Sequence, residues 1–316
     1  MRRVGFLIVL ALMATACSGT SETSGGGLKA RVLEQVGDGF DGVSAGANHL
    51  YAFDGGDAQR IDPATGAPMG AEFRLYALHT RRAVADDGAI WFTSTDGEPP
   101  DRRISPGGAD AALVLPGELE SFGAAVSGQT GWINDPWEDV VVPFTEDGVA
   151  GDPITMPCDV SVDTPVGTPN AVWVTCENGL ARIDSGTREV SMVTDVTPGS
   201  VALTSSALWV RVKGKLLAVD EASGQILRTQ DVPAGAGGII GSGGYVWMVW
   251  RGEKDGPPRI TLHDASDLRQ IAGPVDLPGS SKDAPARIAE AAAFGDKLWI
   301  TQPYYGQGLV MIEREG

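Results

Sequence analysis

Histidine and cysteine are scarce, with three of each in 316 residues. Zinc sites need three or four such ligands at close spacing, and no such cluster occurs. The Gly-x-Ser-x-Gly elbow, the phosphate-binding loop and the His-Glu-x-x-His pair are also missing, which removes the common hydrolase, nucleotide and zinc-protease signatures. Uninterrupted helical stretches are lacking, because 43 Gly and 20 Pro break nearly every segment. Positive charge is short: 24 Lys and Arg face 41 Asp and Glu, a formal charge of −17. That balance excludes nucleic acid, whose phosphates need Lys and Arg. It also argues against lying flat on anionic lipid. Beyond the N-terminus, no apolar run reaches the length of a membrane span.

What is present begins with a targeting segment. Arg2 and Arg3 precede "VGFLIVLALMA", an apolar core short for a transmembrane helix, and "ATAC" follows. The pattern resembles a bacterial lipoprotein signal with its lipobox. It implies a signal peptide over 1–16, lipidation at Cys17 and an extracytoplasmic location on the cell membrane. The alternative is an ordinary secretory signal with an incidental Cys17. Cleavage would leave 41 acids against 22 bases, a formal charge of −19. Residues 17–27, rich in Ser, Thr and Gly, read as a flexible tether, and 28–316 as the folded domain.

A tryptophan phrase then recurs. Tyr51, Trp91, Trp132, Trp173, Trp209, Trp247 and Trp299 sit at spacings of 40, 41, 41, 36, 38 and 52 residues. A period near forty with about four strand signals per copy predicts an all-β, seven-bladed β-propeller of four-stranded blades. Upstream of each aromatic lies a small-residue stretch: "GVSAG", "RAVAD", "AAVSG", "DVSVD", "SVALT", "GGIIG" and "EAAAF". These are expected as the innermost strands, crowded at the axis. The aromatic strand is apolar throughout, as in "YVWMVW", because each blade is covered on both faces. Asp62, Asp184, Asp220 and Asp264 each end a third strand and are expected to cap the following turn. The last copy lacks a fourth strand, and "LKARVLEQV" (28–36) is expected to supply it.

"VWVT" (172–175) with "ARID" (181–184) resembles the repeats of YVTN-type and streptogramin B lyase-like propellers. "LLAVDEASGQIL" (216–227) resembles quinoprotein-like repeats. The resemblance covers nearly all of the chain after the signal and implies the fold rather than an activity. Streptogramin B lyase-like enzymes carry a His on one blade and a Glu-x-His pair on the next, with a metal. Here His49, His79 and His263 each lack a Glu two residues before them. No catalytic residue, metal site or cofactor is therefore expected.

Cys158 and Cys176 lie equidistant from Gly167. A hairpin centred there would set Cys158 opposite Cys176, Val160 opposite Val174 and Val162 opposite Val172. A cross-strand disulfide follows in an oxidising compartment, with two free thiols as the alternative.

Function is expected on one face, where connections exceed what a hairpin needs: 75–83, 94–103, 134–139, 250–259, 277–290 and 302–308. They supply the candidate binding residues His79, Arg81, Arg82, Glu98, Asp101, Asp135, Trp137, Glu138, Trp250, Arg251, Tyr304 and Tyr305. Such a mixture of aromatics and charges suits a protein or glycan surface. The leading expectation is a monomeric, membrane-anchored module that binds or scaffolds an envelope protein or polymer. The alternative is a metal-dependent lyase or hydrolase.

Overall fold

The computed structural model describes residues 22–33, 40, 42–46, 48–54, 56–74, 80–94, 101–107, 109–232, 235–250, 257–278, 288, 290–302 and 308–315. The segment 1–16 and Cys17 lie outside them. Among the described residues there is no helix, and the strands form seven antiparallel sheets. Blades 1 to 6 run in sequence order from inside to outside; blade 4, for example, is Val166–Gly167, Ala171–Cys176, Gly179–Asp184 and Val190–Thr194. The innermost strands of consecutive blades touch all the way round, and that of blade 7 (Ala291–Phe294) touches that of blade 1 (Gly42–Ala45). This is the seven-bladed propeller the repeat predicts.

The repeated aromatic makes the ring cohere. Tyr51 and the six repeat tryptophans are at most 1% exposed, and each packs into the following blade. Tyr51 meets Ile90 and Phe92, Trp91 meets Ile133 and Val142, and Trp132 meets Val172 and Val174. Trp173 meets Leu208 and Val210, Trp209 meets Val246 and Met248, and Trp247 meets Leu298 and Ile300. Trp299 closes the circuit on Leu50 and Ala52 of blade 1. Seven interfaces thus replace one central core.

Closure uses the N-terminal segment as expected. Leu28–Leu33 pairs with the third strand of blade 7, Leu309–Arg314, in the register Leu28↔Arg314 to Leu33↔Leu309. The tether expectation needs correction. Glu22–Gly25 is a fifth strand of this blade, paired Glu22↔Arg31 to Gly25↔Leu28. Gly26 and Gly27 take φ of 55° and 80°. Two positive φ values make the tight primed turn that suits strand twist, and Gly-Gly adopts it without a Cβ penalty. The hairpin is also docked on blade 6: Thr23 Oγ1 donates to Asp276 O (2.7 Å), and Gly273 N–H donates to Gly26 O (2.7 Å).

Six of the seven small-residue stretches form innermost strands, and blade 4 departs. There the strand is Val166–Gly167 rather than "DVSVD", paired Val166↔Trp173 and Gly167↔Val172. The turn falls at Pro169 and Asn170, closed by Thr168 N–H to Ala171 O (2.9 Å), not at Gly167. Proline pre-sets the first central position of a turn and asparagine tolerates the second. The expected cysteine register therefore shifts: Val160, not Cys158, bridges Cys176. Cys158 and Cys176 nevertheless form a disulfide, with Cα atoms 5.9 Å apart. Segment 158–161 runs beside the end of the second strand, held by Ser161 N–H to Thr175 O and Glu177 N–H to Asp159 O (both 2.9 Å).

The bond encloses an 18-residue separation, for which loop closure contributes about 3 kcal/mol in the chain-entropy model. Urea unfolding of the wild-type chain is expected to weaken by that amount on adding reductant. A Cys158→Ala/Cys176→Ala pair should unfold at the lower midpoint with or without reductant. A wild-type midpoint indifferent to reductant would oppose this.

Candidate functional site

All seven innermost strands start at the same face, and all second strands end there. This face therefore gathers the blade-to-blade connections and the second-to-third-strand loops. Around the axis it opens on a channel of about 900 Å³, walled by small residues such as Ala45, Ala83, Ala125, Ala202 and Ala292. Small side chains are dictated there because neighbouring strands converge on the axis.

Arg82 and Glu290 stand at the channel wall. The Arg82 side chain is 5% exposed, lies 4.3 Å over the Phe53 ring and pairs with Glu290 at 3.5 Å. Glu290 Oε2 also accepts the Val43 N–H (3.1 Å). The pair thus fastens blades 1, 2 and 7 together at the mouth. Nothing in the local sequence around Glu290 signals this role. Arg81 is exposed and lies 5.6 Å from the Phe122 ring.

Asp101 and Asp135 hold loops. Asp101 is buried and accepts Ser94 N–H (2.9 Å) and Ser121 O–H (2.7 Å). Burial holds its carboxyl above the ordinary value, opposed by those two hydrogen bonds. Asp135, 1% exposed, accepts Glu120 N–H and Trp137 N–H (both 2.8 Å) and Glu138 N–H (3.2 Å). It thereby fixes the tip that presents Trp137, 65% exposed, with Glu138 beside it. Neighbouring Asn134, absent from the sequence-based candidates, is fully buried and accepts Gly123 N–H at 2.7 Å. His79, Glu98, Arg251, Tyr304 and Tyr305 lie outside the described residues.

Trp250 is half-buried and heads a relay through blade 6. Its Nε1–H donates to Thr261 Oγ1 (2.7 Å), which lies 2.9 Å from His263 Nε2. His263 Nδ1 lies 2.9 Å from Leu268 O, a carbonyl that can only accept. Nδ1 therefore carries the proton, and Nε2 accepts from Thr261. Burial depresses the imidazole's basicity, partly offset by the Leu268 bond.

The opposite face carries the turn aspartates. Asp62 accepts Ala64 N–H (2.7 Å), and Asp184 accepts Thr187 N–H (2.9 Å) and Gly186 N–H (3.0 Å). Asp220 accepts the O–H (2.6 Å) and N–H (2.8 Å) of Ser223, and Asp264 those of Ser266 at the same two distances. Bonds from Ala64, Thr187, Ser223 and Ser266, respectively the leading causes, hold these carboxyls below their ordinary range. The capping role expected of all four is what they perform.

These directions set an acid profile. His263 has a folded value below its ordinary 6.5, so its stability contribution is full above that value and falls as pH drops below it. His49, depressed first by burial and then by Arg60, acts in the same sense. The four aspartates add a second loss as pH falls below 3.8, and Asp101 acts oppositely because its folded value is raised. Urea midpoints should therefore decline already from about pH 6.5 downward, and His263→Gln should reduce that first decline. An identical decline in the variant would show that His263 is not its source.

Among the described residues, no group of three or more His, Cys, Asp or Glu side chains could hold a metal. His49 stacks on Tyr51, and His263 is buried in blade 6. The donors among the described residues do not fit the metal that the lyase resemblance implies.

Fold and face together define a seven-bladed propeller with a small-walled axial channel and a loop-bearing rim. Neither a protein-family profile nor a characterised protein sequence matches the chain. Solved structures do. Catalytically inactive virginiamycin B lyase from Staphylococcus aureus with quinupristin superposes with a TM-score of 0.66 at 17% identity, over 90% of this chain and 99% of that one. The selenomethionine-substituted lyase gives 0.65 at 16%, over 90% and 98%. The Pan2 WD40 domain from Neurospora crassa gives 0.63 at 7%, over 94% and 97%. The resemblance to streptogramin B lyase-like propellers thus holds for the fold, which these identities establish without an activity.

Proposed function

We propose that this chain is a lipid-anchored, extracytoplasmic propeller that acts as a monomer. Through its loop-bearing face it binds or scaffolds an envelope protein or polymer, without catalysis. One observation supports the non-catalytic reading: Asp101, Asp135 and Arg82, three of the candidate ionisable residues described on that face, are engaged in holding it together. Asp101 and Asp135 cap loops, and Arg82 pairs with Glu290. What the face offers to solvent includes an aromatic, Trp137, with Glu138 next to it in the loop, and, elsewhere on the face, Arg81. Exposed aromatics ringed by charge are typical anchors of binding surfaces. Anchoring rests on the signal-like segment that ends at Cys17.

Position-specific photocrosslinking in cells tests this. A photoreactive residue in place of Trp137 should form defined adducts. One in place of Thr187, in the turn after Asp184 on the opposite face, should not. Adducts equally abundant from Thr187, or none from Trp137, would count against the face. Membrane fractions should lose the protein in a Cys17→Ser variant.

A further inference from the structure

The ordered hairpin limits how a lipid anchor can hold the propeller. The expected tether of residues 17–27 is cut short, because Glu22 is already paired with Arg31. The five peptide steps from Cys17 to Glu22 span at most about 17 Å. The anchored rim of blade 7 therefore stays close to the headgroups.

The direction of entry is also set. Glu22 pairs with Arg31, Arg31 with Met311, and Met311 with Trp299. Trp299 lies two residues before the strand end at Thr301, on the loop-bearing face. Gly25, by contrast, pairs with Leu28, and Leu28 with Arg314, at the opposite end of the blade. Glu22–Gly25 thus runs away from the loop-bearing face, with its N-terminal end directed toward that side. Glu22 sits roughly 7 Å below that face at the usual rise per strand residue. A straight tether then leaves about 10 Å between face and bilayer.

We propose that the lipid-anchored protein turns its loop-bearing face toward the bilayer, and that its partner there is the extracytoplasmic part of an integral membrane protein. This rests on the lipid-anchor reading above. A partner rooted in the membrane rises into the narrow gap, whereas a wall polymer lies beyond the opposite face. The formal charge of −19 after cleavage opposes adhesion to anionic headgroups, so the face is held near lipid without lying on it. Trp137 remains available to the partner.

Energy transfer tests the orientation. The full lipidated chain is reconstituted in vesicles of neutral and anionic phospholipid that carry a headgroup acceptor dye. Donor dyes are placed through Trp137→Cys or Thr187→Cys, in blades 3 and 4 across the ring from the anchor. Transfer from position 137 is expected to exceed that from 187 several-fold. A Gly/Ser insertion of about ten residues between Ser21 and Glu22 should abolish the difference, since a flexible linker of that length permits either face. Equal transfer from both positions, or more from 187, overturns the orientation. Flotation of the same samples separates the two failures. A chain that does not float, or floats equally as Cys17→Ser, refutes the anchor, and the orientation falls with it. Adducts from position 137 should yield peptides of a membrane-spanning protein and resist muramidase. Adducts that muramidase shifts would overturn the partner class.

Discussion

A chain lacking residues 22–33 is expected to lose its cooperative unfolding transition. That segment supplies the two N-terminal strands of blade 7. Leu28, Val32 and Leu33 are at most 9% exposed and pack across blades 6, 7 and 1. At about 1.5–3 kcal/mol for each buried side chain, their loss removes about 5–9 kcal/mol before backbone pairing is counted. Folded domains are stable by only about 5–15 kcal/mol. The deletion also uncovers Leu309–Arg314 as an open strand edge, prone to pairing with other chains. Urea titration followed by tryptophan fluorescence measures the effect. A synthetic peptide of residues 22–33 should restore the transition, with a midpoint that rises with the logarithm of its concentration, because it binds only the folded ring. A truncated chain with an unchanged midpoint would mean that blade 7 closes without this segment.

Trp91→Ala is expected to cost about 3–5 kcal/mol, the usual range for emptying a buried aromatic site. The ring of Trp91, 1% exposed, crosses from blade 2 into blade 3. There it lies directly over Gly131, so that a Cβ at that position would overlap the ring. Gly131→Ala alone should therefore cost about 1–3 kcal/mol through overpacking. The two changes should not add. Trp91→Ala opens space for the new methyl, so the double variant should be less destabilised than the sum, by about 0.5–3 kcal/mol. A double-mutant cycle in urea reads this coupling. Strict additivity would place the cost of Gly131→Ala in backbone conformation instead. The other repeat tryptophans occupy the equivalent position, and their alanine variants should fall in a similar range.

How far the sequence reached follows the range of the interactions involved. The turn aspartates were legible because each caps N–H groups two or three residues ahead, as Asp62 does with Ala64. Gly26-Gly27 also carried a hairpin signal, but low-complexity composition around it reads equally as linker, and docking on Gly273 and Asp276 decides between them. In blade 4 two turn signals compete. Gly167 is central between the cysteines, yet Pro169-Asn170 makes the turn because the strand beside it must meet Trp173. On the loop-bearing face composition marked both Asp101 and Trp137 as polar-loop residues, and burial alone separates a loop-holding carboxylate from a presented indole.

The sequence by itself determined the number of blades, the aromatic at each interface and the strand that closes the ring. Those features repeat or lie within one blade, so hydrophobic pattern and spacing encode them. Only the tertiary structure decided which blade each tryptophan enters, which charges are spent on closure and in which direction Glu22–Gly25 runs along blade 7. Arg82 and Glu290 stand 208 positions apart in the chain. Contacts of that kind exist only after the ring has closed, and no local pattern of residues records them.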